Sequence, residues 1–244
     1  MTTSGSNTTG CRRGLQVAAR VVLAAFGRLR VTGAVPDGPV ILAANHISPV
    51  DPVVLLAACH AIGVAPRVMA TAGVFRAPVV GAVLRRAGYL RVARGTASVT
   101  QALHDAIEAV AAGDPVLIYP EGRIGLAPGM WPERGKTGVA RLAEATGVPV
   151  VPVAQWGAHE IAPYAAPRGA VRGLARSVLR RPQVSVHFGR PVSLAGTGSA
   201  REATDRVMAA IADALLPLRA AEPDVPRWHD PTRPIDPSRA RLAP

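Results

Sequence analysis

The sequence predicts an α/β domain with a largely parallel central sheet flanked by helices. Three observations lead there. Short apolar runs of strand length alternate with helical stretches from Val40 to Val153, the pattern of a layered α/β fold. The first run, Val40-Ile41-Leu42-Ala43-Ala44, is apolar throughout, as in strands covered on both faces. The length, 244 residues, suits one large core with short appendages.

In chain order, residues 1–10 are rich in Ser, Thr and Gly and predict a flexible tail with nothing to bury. From Cys11 to Arg30, Leu15, Ala18, Ala19, Val22, Leu23 and Phe26 recur at helical spacing among Arg12, Arg13, Arg20, Arg28 and Arg30. This predicts a basic amphipathic helix over 11–30, either packed on the domain or lying on anionic lipid. After the turn at Pro36-Asp37-Gly38-Pro39, the first strand delivers Asn45 and His46 at its C-terminal end. Asp51 stands in an N-cap position before Pro52, and Val53–His60 supply a helix. Strands follow at Arg67–Ala70, Tyr89–Val92, Val116–Tyr119, Val148–Val153 and Val184–Phe188, and helices at Ala77–Ala87, Val99–Ala112, Gly138–Thr146 and Ser199–Leu216. The main domain thus covers 11–216. Residues 217–244 hold seven prolines and no apolar runs, and predict a surface-hugging or disordered tail.

Composition narrows the partners. Lys and Arg number 28 against 16 Asp and Glu, a positive field suited to anionic lipid, nucleic acid or a phosphorylated coenzyme. Aromatics are only 4%, too few for stacking platforms, and no zinc finger or aromatic-rich RNA motif is present, so nucleic acid is not expected. Cys11 and Cys59 have neither metal-ligand nor disulfide-scaffold spacing. The apolar stretch Leu15–Gly27 is interrupted by Arg20 and falls short of the roughly 20 residues a spanning helix needs. No cleavage site of small residues follows it. The expectation is a peripheral protein on the cytoplasmic side of a membrane, without a clear transmembrane helix.

The chemistry sits first in Asn45-His46-Ile47-Ser48-Pro49-Val50-Asp51. An imidazole and a carboxylate five positions apart across a strand-to-helix turn can meet. The carboxylate then fixes the tautomer and leaves the other ring nitrogen to take a proton from a hydroxyl. Ser48 lacks the Gly-x-Ser-x-Gly elbow that presents a serine nucleophile. In isolation the pair reads equally well as two caps.

Three later segments change that weighting. Gly88-Tyr89-Leu90-Arg91-Val92-Ala93-Arg94 places Arg94 at the C-terminal end of a strand, where a guanidinium can grip phosphate. Tyr119-Pro120-Glu121-Gly122-Arg123 puts Glu121 and Arg123 around a permissive glycine directly after another strand. In Val148-Pro149-Val150-Val151-Pro152-Val153, the prolines imply an edge strand or a pocket wall. Gly135-Lys136-Thr137 is not a phosphate-binding P-loop, because Met130 stands where that motif needs glycine.

In this order and spacing the four segments resemble the glycerolipid acyltransferases typified by 1-acyl-sn-glycerol-3-phosphate acyltransferase, over roughly residues 30 to 190. That family pairs Asn-His-x-x-x-x-Asp with Gly-x-Ile-x-x-x-Arg, Phe-Pro-Glu-Gly and Val-Pro-x-x-Pro-Val blocks, matched here by Asn45–Asp51, Gly88–Arg94, Tyr119–Gly122 and Val148–Val153. The resemblance implies a glycerolipid-acyltransferase-like fold and a transferase of phospholipid biosynthesis. By the same resemblance, His46 and Asp51 are catalytic, Asn45, Arg94, Glu121, Gly122 and Arg123 bind substrate, and no metal or other cofactor is needed. The acyl donor is acyl-CoA or an acyl carrier protein. The leading acceptor is lysophosphatidate at its sn-2 hydroxyl, with another lysolipid or a glycolipid, or a non-catalytic lipid-binding role, as alternatives. The third block departs from the family's Glu-Gly-Thr-Arg: Arg123 takes the Thr place and Ile124 the Arg place. Arg123, or Arg134 and Lys136, would then supply the charge for a headgroup.

Overall fold

A computed structural model describes residues 3–93, 95–164 and 167–220. Its elements are α1 (Thr3–Phe26), β1 (Arg28–Gly33), β2 (Ile41–Ala44), α2 (Asp51–Ala61), β3 (Arg67–Thr71), α3 (Pro78–Arg86), β4 (Leu90–Val92), α4 (Thr96–Ala111), β5 (Val116–Ile118), α5 (Gly138–Thr146), β6 (Val150–Trp156), α6 (Ala158–Ile161), α7 (Pro167–Arg180), β7 (Gln183–Phe188) and α8 (Ala200–Arg219). The strands form one seven-stranded sheet in the order β1-β7-β6-β2-β5-β3-β4. Every pairing is parallel except β6 with β7. The predicted α/β class is therefore the fold observed.

β2 lies near the middle, with Ile41 in register with both Val116 and Val150. Its alternating residues feed two apolar clusters. Leu42 and Ala44 join α2 and Leu23 of α1, whereas Ile41 and Ala43 join α4, α5 and α8. Covering on both faces explains why the strand is apolar without alternation.

Four expectations need correction. Helix α1 begins at Thr3, within the stretch expected to be a flexible tail, because it docks through polar contacts. Arg12 is only 2% exposed and bonds Asp114, while Thr9 Oγ1 accepts from Arg12 at 3.0 Å. The same helix stops at Phe26 instead of Arg30. After Gly27 the Arg28 amide donates to the Pro182 carbonyl at 2.9 Å and opens the parallel pairing with β7, in which Leu29 and Val31 alternate with exposed Arg28 and Arg30 as strand β1.

Strand β6 is interior, not an edge. Its Pro152 is tolerated because the missing N–H points toward β7 just beyond that strand's end, where the Gly189 amide donates to the Pro152 carbonyl. Finally, Pro217 lies inside α8, which runs to Arg219; the rest of the expected C-terminal tail, 221–244, lies outside the described residues. Among the described residues, no helix is long and apolar enough to cross a membrane.

Candidate active site

Strand β2 ends at the C-terminal edge of the sheet, where ligands of open parallel sheets collect. Asn45 follows it, fully buried. Its side-chain Oδ1 accepts from the Gln155 amide at 2.8 Å, and its Nδ2 donates to the Gln155 carbonyl at 3.0 Å. In return Gln155 Nε2 donates to the Asn45 carbonyl at 2.8 Å. Asn45 therefore ties β2 to β6, with its side-chain amide engaged on the Gln155 backbone.

His46 comes next, 16% exposed, with Nδ1 2.7 Å from Oδ2 of fully buried Asp51. The same carboxylate oxygen accepts from the amides of Ile47 at 2.6 Å and Ser48 at 2.8 Å. Three donors on one oxygen hold the whole turn, and a carboxylate acceptor places the imidazole proton on Nδ1. Nε2 is left without a partner among the described residues. The ring stacks on Tyr119, centroids 4.2 Å apart and planes 21° apart, so its orientation is set by packing as well. Ser48 is buried, and its hydroxyl donates to the carbonyls of Ala162 at 2.6 Å and Ala158 at 3.2 Å. That engagement leaves the serine no nucleophilic role.

The turn after β5 braces this one from below. Glu121 is 1% exposed. Its Oε1 accepts the His46 amide at 2.9 Å and its Oε2 the Glu133 amide at 3.1 Å. The Gly125 amide donates to the His46 carbonyl at 2.7 Å, and a Cβ on Gly125 would lie 2.5 Å from Glu121 Oε2. Glu121 is thus a buried brace between the two turns.

Burial pushes the Glu121 carboxyl from 4.5 up to about 8, against the two backbone amides that lower it and with Glu133 and Asp51 adding to the rise. The folded protein then keeps a proton that the unfolded chain loses, so the contribution of Glu121 to stability is fully present below about 4.5 and is lost as pH rises toward about 8. Denaturant unfolding across that interval should show a decline on the order of a few kcal/mol at most, flattened in Glu121→Gln. Parallel curves for the two proteins would refute the assignment.

Gly122 adopts φ +68°, and a side chain there would press on Lys136 Nζ at 2.9 Å. The Lys136 ammonium therefore lies over this glycine. Arg123 donates through Nη2 to buried Glu133 at 3.0 Å, so it is anchored to its own loop. Arg94 lies outside the described residues. The structure thus brings together His46, Asp51, Glu121 and Gly122, with Lys136 alongside, and turns Asn45 toward the neighbouring strand.

Sequence reasoning missed Tyr119 as the stacking platform, Gly125 as the close contact and Glu133 as the anchor of Arg123. A lone acid ten positions after Arg123 in a Gly- and Pro-rich loop was the available signal. Among the described residues, the grouping with metal-ligand proximity is His104, Asp105 and Glu108 on α4. There Gln101 already donates to Asp105, and His104 pairs with Glu108 at 3.4 Å.

A buried carboxylate, an oriented imidazole with one open nitrogen, and nearby cationic groups can remove a proton from a hydroxyl beside an anion. Comparison with known proteins gives the family. A family model described as Acyltransferase matches residues 28–156. Among solved structures, this chain is similar to the crystal structure of the 1-acyl-sn-glycerophosphate (LPA) acyltransferase, PlsC, from Thermotoga maritima. The TM-score is 0.70 at 21% identity, over 94% of this chain and 86% of that one, a likeness of fold. No curated protein matches significantly.

Proposed function

The chain belongs to the acyltransferase family, and from that premise we propose that it transfers a fatty acyl group from acyl-CoA to the sn-2 hydroxyl of lysophosphatidate in phospholipid biosynthesis. The observation that carries this reading is the pair of His46 and buried Asp51 at 2.7 Å, with Nε2 open at the sheet edge. In the proposed reaction Nε2 takes the hydroxyl proton as the acceptor oxygen bonds to the thioester carbonyl carbon. Collapse of the tetrahedral intermediate breaks the carbon–sulfur bond, and the imidazolium proton leaves with the thiolate. A thioester is already activated, so positioning and proton removal are the main requirements.

The acceptor's phosphate is assigned to Lys136 over Gly122, with Arg123 beside it. Anchoring of Arg123 by Glu133 favours a second reading, in which the acceptor is a glycolipid or other lysolipid with less charge.

Peripheral attachment to an anionic membrane is part of the same proposal. Helix α1 turns Arg12 and Gln16 inward and leaves Val17, Val21 and Val22 47%, 67% and 49% exposed. Helix α7, not foreseen in the sequence, packs beside it and exposes Val171, Val178 and Leu179, the last at 88%, among exposed Arg172, Arg176 and Arg180. No Asp or Glu occurs in residues 1–36 or 161–201. Apolar side chains ringed by arginine fit an anionic lipid interface.

One assay tests both parts: labelled acyl-CoA is offered with lysophosphatidate, other lysolipids and glycolipids, in anionic vesicles and as short-chain monomers. Lysophosphatidate should be the best acceptor. A Val21→Asp, Leu179→Asp double variant should lose about tenfold or more on vesicles and little on monomers. Preference for an uncharged acceptor would sink the phosphate assignment, and equal rates on vesicles would sink the membrane face.

A further inference from the structure

Strand β4 is last in the sheet, and the edge it leaves open borders a cavity of about 670 Å³. Arg67, Arg76, Arg85 and Arg91 line it, with Asp105 and Glu108 on the α4 wall. Arg67 donates through Nε to Asp114 at 2.7 Å, and Arg85 through Nη1 to the Phe75 carbonyl at 3.0 Å. The guanidinium groups of Arg76 and Arg91 have no hydrogen-bond or ion-pair partner among the described residues. Among the described residues no ion pair joins either acid to Arg76 or Arg91: Asp105 accepts from Gln101, and Glu108 lies beside His104.

The backbone adds to the positive wall. The Val92 carbonyl accepts from Ala72, the residue after β3, so the alternate residue, Arg91, turns its own N–H toward the open edge. Guanidinium groups and an unpaired edge N–H make a site for phosphate oxygens. Carboxylates on the facing wall disfavour a bare phosphate but accept from hydroxyls and amino groups. A phosphorylated nucleoside carries both kinds of group.

We propose that this cavity holds the adenosine 3′,5′-bisphosphate end of a coenzyme A thioester, an assignment that rests on the acyl-CoA donor of the proposed function. Strand β4 lies three places from β2, about 14 Å across the sheet. An extended pantetheine arm spans that distance and carries the thioester to His46.

The test uses the full chain, wild type and an Arg76→Glu, Arg91→Glu double variant, with Arg76→Gln, Arg91→Gln as a milder pair. Calorimetric titrations with adenosine 3′,5′-bisphosphate, coenzyme A, dephospho-coenzyme A and glycerol 3-phosphate read binding apart from catalysis. Adenosine bisphosphate and coenzyme A should bind, dephospho-coenzyme A more weakly, and charge reversal should weaken binding about tenfold or more. In acyl transfer, KM for acyl-CoA should rise by a similar factor with kcat little changed, while transfer from acyl-pantetheine, which lacks the nucleotide, stays as it was.

Unchanged bisphosphate binding in both variants would overturn the proposal. So would equal losses with the two donors, glycerol 3-phosphate binding as tightly as the nucleotide, or use of an acyl carrier protein to the exclusion of coenzyme A. If nucleotide binding depends on these arginines while the wild type transfers no acyl group to any acceptor, the cavity assignment stands and the proposed reaction falls.

Discussion

Replacing His46 with alanine should lower acyl transfer by roughly 10²- to 10⁴-fold, the range of a lost general base, while the protein keeps its fold. Both backbone contacts of residue 46 survive the change, because Glu121 accepts its amide and Gly125 donates to its carbonyl. Asp51 keeps the amides of Ile47 and Ser48 on the same oxygen, so the turn stays closed around an empty ring position. The costs are the stacking on Tyr119 and one hydrogen bond, modest for a partly exposed group. Transfer rate and thermal unfolding are to be measured on the same preparation. A folded variant with activity within a few-fold of wild type would remove His46 from the reaction.

The second large effect is on stability. Asp114→Ala should destabilise the protein by about 3–5 kcal/mol, the usual penalty for stripping the partner from a buried charge. Asp114 offers one oxygen to Arg12 and the other to Arg67, and Arg12 is buried beneath the N-terminal half of α1. Burial already lowers the Arg12 pKa and Arg67 adds to that, with Asp114 the chief opposing influence. Without the carboxylate, the buried Arg12 guanidinium loses its ion pair and faces Arg67. Denaturant titration measures the loss, and the double variant Arg12→Met, Asp114→Ala should recover much of it. A loss below about 1 kcal/mol would show that the pair contributes no more than a surface ion pair.

These cases show what a sequence can carry. The continuous apolar run at Ile41–Ala44 was legible because burial on both faces leaves a local signature. So was the spacing of His46 and Asp51, five residues apart and joined by one turn. Strand β1 was hidden because Arg28 and Arg30 extend the basic helical pattern, and the strand it pairs with, β7, lies far along the chain. Helix α7 was missed since its arginines dilute the apolar face. Asn45 and Glu121 were legible as part of this neighbourhood, but their bracing contacts were not. Their polar atoms are taken by residues 110 and 75 positions away, and no local pattern records a partner so distant.

The reciprocal bonds between Asn45 and Gln155 bear on how the base is readied. Strand β2 has only four residues, too short to keep its end from fraying on backbone pairing alone. Fastened to β6 at that end, the residue just before His46 loses its conformational freedom when the chain folds, long before a substrate arrives. Ordering the imidazole then takes nothing from the affinity for donor or acceptor. Any loosening of the fastening would surface as slower chemistry at unchanged substrate contacts.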